Sequence, residues 1–93
     1  MGKRENKVER YLDERVGKLG GITRKWVSPG RDGVTDRIVI INGAVWFVEV
    51  KTTGGKLSQC QIREHDQLMR NGANVRTVYG RDGVDEFIEE VVG

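Results

Sequence analysis

Asp36, Glu49 and Lys51 are the residues of this chain whose types and spacing suit chemistry. They lie on two β-rich runs, 36–41 and 44–51, joined by Asn42-Gly43. That dipeptide between two such runs favours a two-residue type I′ hairpin turn. If it forms the turn, Ile41 pairs with Ala44, and the same register sets Asp36 opposite Glu49. Their Cβ atoms would then be about 4.5–5.5 Å apart. Like charges facing each other across a ladder are destabilising, so the pair needs a reason. A divalent cation, Mg²⁺ or Mn²⁺, supplies one, because hard cations are held by a few carboxylate oxygens and water. Strand period two puts Lys51 on the same face, and the Val50 carbonyl lies between the acid and the lysine to complete a metal shell. Two acids, a lysine and a cation suit phosphodiester hydrolysis. The cation polarises a phosphoryl oxygen and acidifies water, and the lysine holds that water and offsets charge growing at phosphorus.

Glu-x-Lys alone is a weak signal. The chain carries a second copy, Glu5-Asn6-Lys7, in a segment that reads as helix. Residues two apart on a helix point about 200° from each other and cannot share a site. The strand setting and the opposed Asp36 therefore carry the specificity. The competing reading is a cross-strand pair neutralised by Arg37, Lys51 or Lys25. Against it, Glu49 lies among Val45, Trp46, Phe47, Val48 and Val50, where an unpartnered ionised acid is costly to bury.

The elements that must position these residues follow from periodicity. Val8, Tyr11, Leu12, Val16 and Leu19 recur at helical spacing over 4–19, and Gly20-Gly21 stops the run. The mean direction of this apolar stripe is about 45° from Glu5 and about 85° from Glu9. Glu5 thus has two readings, a third acid reaching the site or an acid favourable to the helix dipole. Residues 22–27 alternate as a strand, and 28–33 form a turn-rich loop. After a loop over 52–57, Ser58 reads as an N-cap with Gln61 at the capping-box position and Leu57 and Ile62 as a hydrophobic staple. That helix runs to about Asn71 and ends at Gly72. Val75–Tyr79 is a further strand, and Val84, Phe87, Ile88 and Val91 mark a closing helix. The order α-β-β-β-α-β-α predicts an α/β fold with a mixed sheet flanked by helices.

Composition bounds the rest. Ninety-three residues, 37% apolar and 32% charged, predict one globular domain over 1–93 with a small core. The longest apolar stretch, Ala44 to Val48, is too short for a membrane span, and no signal peptide is expected after Met1. One cysteine, Cys60, excludes an internal disulfide and, with a single histidine, argues against a zinc site. His65 reads as a helix-surface or packing residue. A reducing, cytoplasmic setting is expected. The net charge of +2 permits nucleic-acid binding without identifying it. Lys25, Arg31, Arg37 and Lys56 flank the acids and are candidate phosphate contacts, with ordinary solvated charge as the alternative.

Three segments in order carry a family resemblance: Gly33-Val34-Thr35-Asp36-Arg37, then Val45-Trp46-Phe47-Val48-Glu49-Val50-Lys51, then Gly55-Lys56-Leu57-Ser58-Gln59-Cys60-Gln61. Together they resemble the VRR-NUC (virus-type replication-repair nuclease) domain of the PD-(D/E)XK nuclease superfamily, in its stand-alone phage type. The resemblance implies a restriction-endonuclease-like αβββαβ core. It implies metal ligation by Asp36 and Glu49 and catalysis by Lys51, with Glu5 as the helix-borne acid and Gln61 as an active-site glutamine. One departure is Thr35, where the family usually has Pro. A Pro there restricts backbone but supplies no ligand, so activity is expected to survive. The resemblance further implies Mg²⁺- or Mn²⁺-dependent cleavage of DNA, with branched DNA such as four-way junctions as substrate. It implies a homodimer and no small-molecule cofactor. Two other readings stay open: a DNA-binding module without turnover, and a nuclease subunit that needs a partner.

Overall fold

The computed structural model describes residues 7–93. Its elements are α1 (Lys7–Lys18), β1 (Ile22–Lys25), β2 (Arg37–Ile41), β3 (Ala44–Lys51), α2 (Gln59–Arg70), β4 (Asn74–Tyr79) and α3 (Gly80–Val92). The order is the one the sequence predicts, and the strands form a single sheet, β1-β2-β3-β4. The first two pairings are antiparallel and β3 pairs with β4 in parallel. A parallel neighbour requires a crossover, and α2 provides it.

Asn42 and Gly43 make the hairpin turn, with φ of 52° and 79°. Both central residues thus have the positive φ that a type I′ turn demands. Ile41 pairs with Ala44 and Arg37 with Val48, which is the expected register. The strands are shorter than predicted at the site end: β1 stops at Lys25 and β2 begins at Arg37 rather than Asp36. Pairing continues by one bond, Trp26 N–H to the Asp36 carbonyl at 3.0 Å. The β2–β3 ladder breaks there because of Asp36 itself. Val50 is due to face Thr35, but its N–H donates to Asp36 Oδ2 at 2.7 Å. A side chain has taken the place of a ladder carbonyl.

The sheet has two unlike faces, as strand alternation requires. Val39, Ile41, Val48, Val50 and Val78 point toward α1 and α3, where Leu12, Val16, Val84, Phe87 and Ile88 complete a buried core. Trp46 joins it through an edge-to-face contact with Phe87, ring centroids 5.3 Å apart. The other face is laid out in rows. Ile22, Ile40 and Val45 form the first row across β1–β3, then Arg24, Ile38 and Phe47 the second. Trp26, Asp36 and Glu49 form the third by the same register, and Trp26 packs on Phe47 at 5.1 Å. Helix α2 lies on this side.

Thr35 is fully buried, and its Oγ1 has no hydrogen-bond partner among the described residues. An unsatisfied buried hydroxyl costs roughly 1–3 kcal/mol. Thr35→Val is therefore expected to leave stability unchanged or raise it by about 1 kcal/mol in urea melts. A loss of more than about 1 kcal/mol would show that the hydroxyl is bonded in solution.

Candidate active site

Helix α2 starts where its sequence predicts. Ser58 Oγ accepts from Gln61 N–H at 3.2 Å, and Gln61 Oε1 accepts from Ser58 N–H at 2.9 Å. This reciprocal capping box satisfies two otherwise orphaned donors. At the other end, Gly72 and Ala73 N–H groups return to the Met69 and Leu68 carbonyls, a Schellman closure that needs the positive φ of Gly72. Gly33 fixes the preceding loop against α2. A Cβ there would lie 2.5 Å from the Cys60 carbonyl oxygen.

The capping Gln61 also reaches the sheet: its Nε2 donates to Glu49 Oε2 at 2.9 Å. One amide therefore both starts α2 and holds the central acid. Glu49 is 2% exposed. Lys51 Nζ is 3.7 Å from the same Oε2, and His65 Nε2 is 3.6 Å from Oε1. Burial pushes the Asp36 carboxyl up to about 6, and the nearby charges of Glu49 and Glu9 add to the rise. The Val50 N–H bond opposes it by favouring the ionised form. Asp36, Glu49, Lys51 and Gln61 thus come together as the sequence predicts, with Val50 buried between the acid and the lysine.

The other sequence candidates divide. Glu5 lies outside the described residues. Glu9 sits beside Arg37, with Oε1 3.2 Å from its Nη2, and its charge is felt at Asp36. Arg37 and Lys25 are corrected as phosphate contacts. They pair with each other in the ladder, and alternation turns both to the sheet face opposite Asp36 and Glu49. The Arg37 guanidinium is committed to Asp13 and Glu9 of α1. Arg31 is likewise occupied, bonded to the buried Glu64 and to Gln67, so it ties its loop to α2. Lys56 is exposed in the loop before α2. Arg24 is exposed on the site face, in the row next to Asp36, a placement that only the strand pairing reveals.

Of the two readings of His65, the packing one holds. The residue is 3% exposed, yet what it packs against is Glu49. Its spacing of four from Gln61 was the available signal, since residues four apart share a helix face.

The donors fit a hard divalent cation. Two adjacent carboxylates with one raised pKa gain from a positive charge, and Glu49 Oε1 is buried without a hydrogen-bond partner. Among the described residues no group of three or more His, Cys, Asp and Glu is poised to hold a metal. Asp36 and Glu49 would thus share the ion with water and the Val50 carbonyl, as Mg²⁺ commonly accepts.

Comparison with known proteins follows the same lines. No family model matches the chain. A protein of Acyrthosiphon pisum secondary endosymbiont phage 1, named "Putative nuclease p44", is 45% identical over 80 residues, covering 85% of this chain and 86% of its own. A solved structure described as a VRR_NUC domain superposes with a TM-score of 0.84 at 40% identity, over 95% of this chain and 97% of that one. An Archaeoglobus fulgidus Holliday junction resolvase, Hjc, shares the fold at 19% identity with a TM-score of 0.61, covering 78% of this chain and 65% of the resolvase. The mixed sheet and flanking helices define the restriction-endonuclease-like α/β fold, and the nuclease relatives support a nuclease on it. Within that class, the chain belongs to the VRR-NUC family. No helix among the described residues is long and apolar enough to cross a membrane.

The raised Asp36 pKa has a thermodynamic consequence. Its folded value, about 6, exceeds the ordinary 3.8, so the metal-free folded state binds protons more tightly than the unfolded chain. The stabilisation is full below about pH 4 and is lost as pH rises through about 6. Asp36→Asn is expected to flatten this part of the melting-temperature profile, and Mn²⁺ to raise the wild-type melting temperature most at neutral pH. Identical profiles for the two proteins would refute the assignment.

Proposed function

We propose that this chain is a Mg²⁺- or Mn²⁺-dependent DNA endonuclease that hydrolyses phosphodiester bonds in branched DNA, such as four-way junctions, as a homodimer. The observation that carries the hydrolytic reading is the buried Glu49, grouped with Asp36, Lys51 and Gln61 on one sheet face. An acid so placed costs several kcal/mol unless it is paired. A cation and a phosphate give the arrangement a use.

Asp36 and Glu49 would hold the ion, which supplies Lewis acidity toward a phosphoryl oxygen and a lowered pKa for water. Lys51 Nζ, partly exposed beside Glu49, would hold an attacking water by an N–H hydrogen bond and donate to the oxygens that gain charge at phosphorus. Gln61 keeps Glu49 oriented. Lys56 and Arg24, exposed near the site, are the side chains we assign to the DNA backbone.

The branched substrate is supported by likeness in fold to the archaeal junction resolvase. Self-association is supported by the row Ile22, Ile40 and Val45, exposed by 43%, 41% and 45% on the site side of the sheet. A second copy related by a two-fold axis would cover this row and set two sites against a symmetrical junction.

Labelled junction, flap and duplex DNA, incubated with Mg²⁺, Mn²⁺ or EDTA, tests the activity. Cleavage of the junction with either metal and none in EDTA is expected. Lys51→Ala is expected to slow cleavage by about 10²–10⁴-fold while still binding DNA. DNA binding without metal-dependent cleavage in the wild type would instead favour a module without turnover. In sedimentation, the wild type is expected as a dimer and Ile40→Asp as a monomer. A monomeric wild type that cuts only flaps would overturn the symmetrical reading.

A further inference from the structure

Two buried polar atoms at the site face each other without a bond. Glu49 Oε1 and His65 Nε2 lie 3.6 Å apart, and neither has a hydrogen-bond partner among the described residues. The two residues are 2% and 3% exposed. Each unsatisfied buried atom is destabilising, and an apolar residue at position 65 would remove one of them. The placement is also directional. Gln61 and His65 are one α2 turn apart, and each addresses a different oxygen of the same carboxylate. Lys51 approaches Oε2, the oxygen Gln61 already holds, which leaves His65, among the described residues, as the nitrogen facing Oε1.

We propose that His65 is a positioning residue for Glu49. A shift of well under 1 Å brings its Nε2–H within hydrogen-bond range of Oε1. Gln61 and His65 then grip the carboxylate from both oxygens. Each oxygen has two lone pairs, so Glu49 would keep one on each available to hold a cation. Partners that orient a metal ligand in this way commonly carry 10–100-fold in metal affinity or activity. The inference rests on the metal-dependent reading above, and its test separates the two.

Binding of Mn²⁺ alone to the full chain, measured by calorimetry without DNA, is compared for wild type, His65→Leu and His65→Gln. His65→Leu is expected to weaken Mn²⁺ binding about 10–100-fold and to raise the Mn²⁺ concentration for half-maximal cleavage. Its melting temperature is expected to match or exceed the wild type, because an apolar side chain replaces an unpaired ring. His65→Gln presents an amide N–H at similar reach and is expected to recover most of the affinity. His65→Met gives the same comparison if His65→Leu does not fold. Wild-type Mn²⁺ affinity in the apolar variant, or no recovery in His65→Gln, overturns the positioning role alone. A wild type that binds no Mn²⁺ overturns the metal reading and the inference with it.

Discussion

Burial of a charged carboxylate on the central strand is the constraint around which the rest of the structure is arranged. Glu49 lies between Val48 and Val50, which point into the helix-covered core, while its own side chain points to the opposite face. Desolvating a carboxylate costs several kcal/mol even after relaxation. The surroundings answer that cost with polar groups drawn from separate elements: the Gln61 amide from α2, the Lys51 ammonium from β3 and the His65 imidazole from α2. None of them is a sequence neighbour closer than two residues. The site therefore exists only when β3 and α2 have docked.

Asp36 shows the same coupling between fold and site. Its carboxylate takes the N–H of Val50, so the β2–β3 ladder ends at the place where the site begins. That bond favours ionisation, whereas burial and the charges of Glu49 and Glu9 oppose it. The balance leaves the Asp36 carboxyl raised to about 6. Arg37, the next residue, turns to the other face and neutralises Glu9 and Asp13 of α1. Adjacent residues with opposite charge thus serve opposite faces of one strand.

The two faces of the sheet are covered unequally. Helices α1 and α3 bury the centre of one face, and α2, engaged with the acid cluster, leaves Ile22, Ile40 and Val45 open to solvent on the other. The loop over 28–33 adds no cover there. Arg31 and Gly33 pin it to α2 instead.

Local chemistry determined much of this protein without reference to its tertiary structure. Asn42-Gly43 specified a two-residue turn, and a two-residue turn specifies register, so Asp36, Glu49 and Lys51 were legible as one site. Ser58 and Gln61 specified the start of α2 in the same local way. The resemblance to VRR-NUC domains was legible too, from three short segments. What tertiary structure alone decided was which charged side chains are free and which are spent. Arg37 follows Asp36 in sequence and Lys25 pairs with Arg37 in the ladder, yet both emerge on the far face, and Arg31 is committed to Glu64. His65 looked like an ordinary helical histidine and became a neighbour of Glu49. Turns and caps are settled by interactions within a few residues. The partner of a charge is settled by whatever distant element packs beside it, and the sequence carries no short-range record of that.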